Sequence, residues 1–162
     1  TRLRTYISCW TVGEHENAAM WHIYSSMKSG VAIRSTCQRL RDSLSPDDPT
    51  PVNIGEVLYE GDKELDPGAF FLLPYLLKRP SFAYERELRA IIQAGGLSEE
   101  EDSREKAPPG KNMKVDLKSL VESAYVAPMA PEWFFSLVES VTKRYRLSVP
   151  VVRSSLSDDP LF

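Results

Sequence analysis

The run Lys78-Arg79-Pro80-Ser81-Phe82-Ala83-Tyr84-Glu85-Arg86-Glu87-Leu88-Arg89-Ala90-Ile91-Ile92 constrains this chain more than any other stretch. Two carboxylates two residues apart, beside a guanidinium and downstream of a lysine, are unusual on a strand that also enters a core. Read as one extended strand, its side chains alternate between the two faces of a sheet. Tyr84, Leu88, Ala90 and Ile92 then share one face, and Glu85, Glu87 and Arg89 line the other. Glu85 and Glu87 would stand roughly 7 Å apart, close enough for one charge to raise the other's pKa and prepare an acid or base. Arg89 and Lys78 can instead neutralise them as a structural ion-pair ladder. The residues alone leave both readings open.

The remaining segments are short and alternate irregularly between strand and helix patterns. Leu3 to Trp10 reads as a buried strand. Thr11-Val12-Gly13-Glu14 fits a capping box ahead of an amphipathic helix carrying Met20, Ile23, Tyr24 and Met27, with Gly30 as its C′ residue. Val31 to Ile33 is a strand, Thr36 to Leu44 a helix, Val52 to Tyr59 a strand and Ala69 to Leu77 an apolar helix. Residues 98–112, with Glu99, Glu100, Glu101 and Asp102 before Pro108-Pro109-Gly110, read as an exposed acidic loop. Met113 to Asp116 and Ala124 to Ala127 are short strands. Pro131 opens a helix with Phe134, Val138, Val141 and Tyr145 at helical spacing, and Ser148 to Arg153 is a last strand. This pattern predicts a single α+β domain, a mixed β-sheet of short strands packed with three to five helices.

Composition narrows the function classes. A chain of 162 residues with 42% hydrophobic residues can bury a core. A net charge of −3 gives no strong nucleic-acid signal. No apolar run reaches the ~18 residues of a membrane span, and no signal peptide is visible. Cys9 and Cys37 lack CxxC spacing, so the expectation is two buried thiols in a reducing, cytoplasmic setting, with neither disulfide nor zinc.

No Walker A loop, GxGxxG, GxSxG or HExxH occurs. His15 and His22 lie seven residues apart on the expected helix, whereas helical metal ligands sit three or four apart. No metal site is expected. A second cluster combines Glu14-His15-Glu16-Asn17 with Trp10 and Trp21. First-turn carboxylates complement the helix dipole, which accounts for the acids but not for the flanking tryptophans. Trp and Tyr near carboxylates are what stacking a base or sugar requires, although a helical Trp21 is more often core.

These blocks resemble the bacterial family called DUF2971. The resemblance rests on Ser8-Cys9-Trp10, Glu14, Glu16, Ala19-Met20-Trp21 with Tyr24, and Gly30-Val31-Ala32-Ile33. It continues through Gly55-Glu56-Val57-Leu58-Tyr59, Lys78 to Phe82, Glu85 to Arg89, Tyr125 to Pro128 with Trp133, and Ser154-Ser155-Leu156. It spans nearly the whole chain; family members typically carry a further N-terminal segment, with an aromatic strand and an Asn-Asp-Pro turn, that is missing here, so a family pocket that draws on that segment is expected to be incomplete. The resemblance also implies a bacterial or phage-related protein with a role in defence or toxicity.

A fold-level analogy adds ADP-ribosyltransferase-like enzymes, which carry a Glu-x-Glu pair on a strand. By that analogy Glu87 is catalytic and stabilises an oxocarbenium-like ribosyl centre, Glu85 orients the acceptor, and Arg89 completes the site. Trp10, Glu14, Glu16, Trp21, Tyr24 and Lys78 become substrate-binding residues, and NAD or another nucleotide the substrate. That reading expects Glu85, Glu87 and Arg89 to face the helix bearing Trp21 and Tyr24. The alternatives are a ligand-binding or protein-interaction module, presenting an apolar patch at Phe70, Phe71 and Tyr75 or at Trp133 and Phe135, and a structural domain with a surface ladder.

Overall fold

A computed structural model of the chain describes residues 5–59, 71–93 and 109–158. In chain order the strands are β1 (Thr5–Thr11), β2 (Val31–Arg34), β3 (Asn53–Glu56), β4 (Leu58–Tyr59), β5 (Leu77–Lys78), β6 (Glu87–Gln93), β7 (Ser123–Val126) and β8 (Val151–Arg153). The helices are α1 (Ala18–Tyr24), α2 (Cys37–Asp42), α3 (Leu73–Leu76), α4 (Leu117–Leu120) and α5 (Glu132–Arg144), with 3-10 helices at Pro80–Glu85 and Ser155–Ser157. The fold is α+β, as the alternation predicts. No helix among the described residues is long and apolar enough to cross a membrane.

Chain contacts divide into two compact units, each drawn from two stretches of sequence. One comprises Thr1–Glu14 with Pro49–Asn112, the other His15–Asp48 with Met113–Phe162.

In the first unit, β6 is the middle strand of an antiparallel sheet ordered β1-β6-β3. Its Ile91 and Ile92 point to opposite faces and both are buried, so this strand packs on two sides, as its Ile-rich half suggests. Thr11 pairs with Glu87, Cys9 with Arg89 and Trp10 with Leu88. On the other edge Gly55 pairs with Arg89. A two-stranded parallel ribbon joins β4 to β5.

The second unit carries a sheet ordered β2-β7-β8, antiparallel then parallel. The parallel pair needs a crossover, and α5 supplies it. Trp21, Val126, Ala127 and Ala130 form a buried cluster, against which Phe134, Phe135 and Val138 pack. Elsewhere in this unit α2 and α4 are stitched together. Arg39 donates to the carbonyls of Lys118 (3.0 Å) and Val121 (2.8 Å), and the Asp116 N–H donates to the Ser43 carbonyl at 2.8 Å.

Several local expectations are corrected. The helix expected after Thr11 starts at Ala18, because the Asn17 side chain accepts from the Ala19 N–H (2.9 Å) and caps it. Glu14 lies in an exposed bend outside it. That helix ends at Tyr24, so Gly30 is not its C′ residue. What demands glycine there is space: a Cβ would meet the Ser25 hydroxyl at 1.8 Å and the Ser26 carbonyl oxygen at 2.8 Å. Gly30→Ala is therefore expected to lower stability by about 1–3 kcal/mol, measured as a shifted urea midpoint, since backbone at Ser26 must move. The Val52–Tyr59 strand breaks into β3 and β4, and of the helix expected over 69–77 the described residues form only the single turn α3. Met113 to Asp116 makes only an isolated bridge, Val115 with Leu44, before Asp116 caps α4. Cys9 and Cys37 are both exposed rather than buried. Most of the acidic stretch 98–112 lies outside the described residues; Pro109 to Asn112 are exposed.

Candidate functional site

The stretch expected to be one strand is three elements. Lys78 closes β5, Pro80 opens a 3-10 helix ending at Glu85, and β6 begins at Glu87. The physical reason is Pro80. It removes a backbone donor and holds Arg79 extended (φ −67°, ψ 146°). Arg86 then takes a left-handed conformation (φ 44°) that turns the chain from helix into strand. This fold-back brings side chains from Lys78, Glu85, Glu87 and Arg89 into one cluster, which a straight strand would have strung out.

The cluster is closed and balanced, two cations with two anions. The Lys78 ammonium donates to both carboxylates, to Glu85 at short range and to Glu87 Oε1 at 2.6 Å. Arg89 Nε donates to Glu87 Oε2 at 2.6 Å, and its guanidinium also donates to the Tyr75 carbonyl at the end of α3. The Glu87 N–H donates to the Tyr59 hydroxyl at 3.1 Å. Phe82 lies against Lys78, its ring centre 4.8 Å from Nζ, a cation–π contact. Gly55, opposite Arg89, leaves room for Leu76: a Cβ there would stand 3.1 Å from one of its methyl carbons.

Burial separates the four. The side chains of Glu85 and Glu87 are 5% and 6% exposed, Arg89 14% and Lys78 21%. This is not a solvated surface ladder. Nor is Glu87 a raised-pKa acid. Burial pushes its carboxyl up, but the hydrogen bonds from Lys78 and Arg89 and the Arg89 charge outweigh that and hold it at about 2. Burial would lower the Lys78 pKa, and its bonds to Glu85 and Glu87 instead raise it beyond the usual lysine range. At neutral pH the site therefore offers an ionised carboxylate under a charged lysine. Cys9, exposed on β1 opposite Arg89, has its thiol pushed up by partial burial and then by the Glu87 charge, so it is not an activated nucleophile.

The other expected site residues are distributed differently. Trp10 pairs with Leu88, so it lies on the opposite face of the β1–β6 ladder from Glu87 and Arg89. Its buried indole N–H has no partner among the described residues. Glu16 and Trp21 belong to the second unit and engage each other. The Trp21 indole N–H donates to Glu16 at 3.0 Å, and the Ser155 N–H donates to the same carboxylate at 3.0 Å. Trp21 is in the core rather than on a stacking platform, and Tyr24 is exposed at the end of α1. His15 and His22 are exposed, and no group of three or more His, Cys, Asp or Glu among the described residues is placed to hold a metal. Of the expected patches, Phe71 and Trp133 are exposed, Tyr75 and Phe135 are half-buried, and Phe70 lies outside the described residues.

Sequence reading did not find Tyr59, Phe82 or the Tyr75 carbonyl as partners of the quartet. Proline inside a supposed strand was the available signal. Two clefts, of about 550 Å³ beside the C-terminal end of α5 and about 400 Å³ between α2 and α4, lie in the second unit and contain no quartet residue. No family model matches the chain, and neither a curated protein nor a solved structure matches it.

Proposed function

We propose that the chain is a DUF2971-like enzyme acting at the glycosidic carbon of a nucleotide or NAD-like substrate, with Glu87 as the catalytic carboxylate. One observation carries this reading: Glu87 is buried yet held ionised by Lys78 and Arg89. An oxocarbenium-like centre needs a fixed negative charge, and a desolvated one acts more strongly than one in water. In the reaction the C1′–N bond breaks, its electron pair leaves with the base, and water or an acceptor hydroxyl adds at C1′ with loss of a proton. Glu85 orients that acceptor. Lys78, the most accessible of the four, is the member a substrate meets first and displaces. The defence or toxin setting rests on the family resemblance alone.

The test is release of nicotinamide from NAD, and of free base from nucleosides, by the purified chain. Glu87→Gln, shown by circular dichroism to be folded, is expected to lose about 100-fold or more in turnover. Glu85→Gln is expected to keep base release while losing transfer to an acceptor. No release by the wild-type chain, or release unaltered by Glu87→Gln, removes the reading. A non-enzymatic interaction module is the second reading, and the exposure of Trp133 favours it.

A further inference from the structure

The strand β2 forms one edge of the β2-β7-β8 sheet, and all four of its residues are exposed. Two hydrogen bonds fix which way its peptide groups point. The Ala127 N–H donates to the Gly30 carbonyl at 3.0 Å, and the Glu122 N–H donates to the Arg34 carbonyl at 3.0 Å. Gly30, Ala32 and Arg34 therefore turn their peptide groups toward β7, and alternation turns the N–H and C=O of Val31 and Ile33 outward. These four groups have no partner among the described residues. Natural edges are blunted with proline, charge or a bulge. The opposite edge follows that rule, with Pro150 immediately ahead of β8 and Arg153 at its end. The ladder of β2 is unbulged, its one charged residue, Arg34, is held by Glu122 at 3.7 Å, and Val31 and Ile33 stand 46% and 48% exposed.

The residues along this edge indicate what pairs with it, because they complement themselves. One antiparallel register joins every outward group of two β2 strands: Val31 stands opposite the partner's Ile33, and Ala32 opposite the partner's Ala32. Cross-strand partners share a face, and Val31 and Ile33 lie on the face of buried Val126 and Ala124. Two apolar Val–Ile pairs thus extend that buried side of the sheet. On the other face the central pair is non-hydrogen-bonded, the closest kind in such a ladder, with Cα atoms about 4.5 Å apart. Alanine occupies it. Arg34 falls opposite Gly30, where the Ser25 hydroxyl stands 1.8 Å from the place of a Cβ and offers an acceptor to a guanidinium. Charge sets the direction. Antiparallel pairing keeps the two Arg34 residues roughly 13 Å apart along the strands, whereas parallel pairing in register puts them side by side.

We infer that β2 pairs edge to edge with β2 of a second copy of the chain, antiparallel about a two-fold axis between the paired Ala32 residues, joining two three-stranded sheets into one. So short a strand makes a small interface, below about 1,200 Å² in total, so association is weak and concentration-dependent. A closed two-fold contact stops at the dimer.

Sedimentation equilibrium of the full chain from about 1 to about 300 µM tests it, a range suited to weak small-area association. The expected result is a reversible monomer–dimer equilibrium, with hydrogen exchange at the Val31 and Ile33 amides slowing as dimer forms. That exchange measurement, made on the wild-type chain, decides the matter independently of any variant. Ala32→Glu and Ala32→Lys each set like charges face to face and should weaken the dimer at least about tenfold. Circular dichroism and the urea midpoint should stay unchanged, because Ala32 is exposed. An equimolar mixture of the two variants should recover dimer, since opposite charges then meet at the axis, a recovery that general surface disruption does not give. Monomer at every concentration overturns the inference. So does a dimer that leaves the Val31 and Ile33 amides unprotected, a dimer indifferent to Ala32→Glu, or a mixture that stays monomeric; these point instead to a different partner or a different face.

Discussion

Lys78→Met is expected to lower the unfolding free energy by about 3–5 kcal/mol, a large share of the ~5–15 kcal/mol that holds a typical domain together. Lysine here is the only cation on Glu85 among the described contacts and one of two on Glu87. Methionine preserves the aliphatic stem against Phe82 but leaves two carboxylates buried side by side with Arg89 alone. The loss comes from stranding desolvated charge rather than from the strength of one ion pair. Urea unfolding gives the global value, and faster hydrogen exchange at the β6 amides locates it. Adding Glu85→Leu to Lys78→Met should recover a good part of the loss, since it removes the stranded anion. If Lys78→Met shifts the midpoint no more than a surface substitution does, the quartet is not the buried network described above.

The second large effect is on acid stability. Glu87 sits near 2 in the folded chain against an ordinary glutamate value of 4.5. A carboxyl depressed by folding adds stability that is fully present above its unfolded value and is lost as pH falls through its folded value. Glu87 should therefore contribute about 3 kcal/mol at neutral pH, disappearing between roughly pH 4.5 and pH 2. Lys78 acts in the opposite direction. Its pKa is raised, so its contribution is complete below 10.5 and fails only at strongly alkaline pH. The groups facing Glu87 are Lys78, Glu85, Arg89, the Tyr59 hydroxyl and Cys9 on the neighbouring strand, and none of the cations among them titrates in the acid window. Urea midpoints measured from pH 7 to pH 2 should fall for the wild-type chain, and the fall should be shallower in Glu87→Gln. Parallel curves for the two proteins would remove Glu87 as the group responsible.

The sequence made one half of this site legible and hid the other. Period-two alternation placed Glu87 and Arg89 on one face of a strand whose Ile91 and Ile92 enter the core, and that holds from Glu87 onward. The same alternation put Glu85 on the strand too, and there it failed, because periodicity says nothing about a proline-started 3-10 turn or a left-handed Arg86. Lys78 reaches the carboxylates only because the chain folds back between them, a tertiary fact with no spacing signature. The Trp10 to Tyr24 block was misjudged for a different reason. A carboxylate near tryptophans reads the same whether it awaits a ligand or holds an indole N–H, and Glu16 does the latter. The exposure of Cys9 was equally unreadable, since sequence does not show that β1 is an edge strand, nor does it show that Cys37 opens α2 on its exposed side.

The interleaving of the two units fixes an order of events during synthesis. Thr5 to Thr11 leaves the ribosome well before its partner residues Glu87 to Gln93, and none of its ladder can close until they follow. Meanwhile His15 to Asp48 is already made and belongs to a unit whose remaining half starts only at Met113. The first unit thus completes while a long insertion within it is still unstructured by its own partners. The second unit is not complete until Ser155 is made, whose N–H binds Glu16. Such long-range pairing is slow to form and leaves strand edges open in the interval, so a nascent chain stalled before Val151 would carry a finished first unit and a β7 lacking one neighbour.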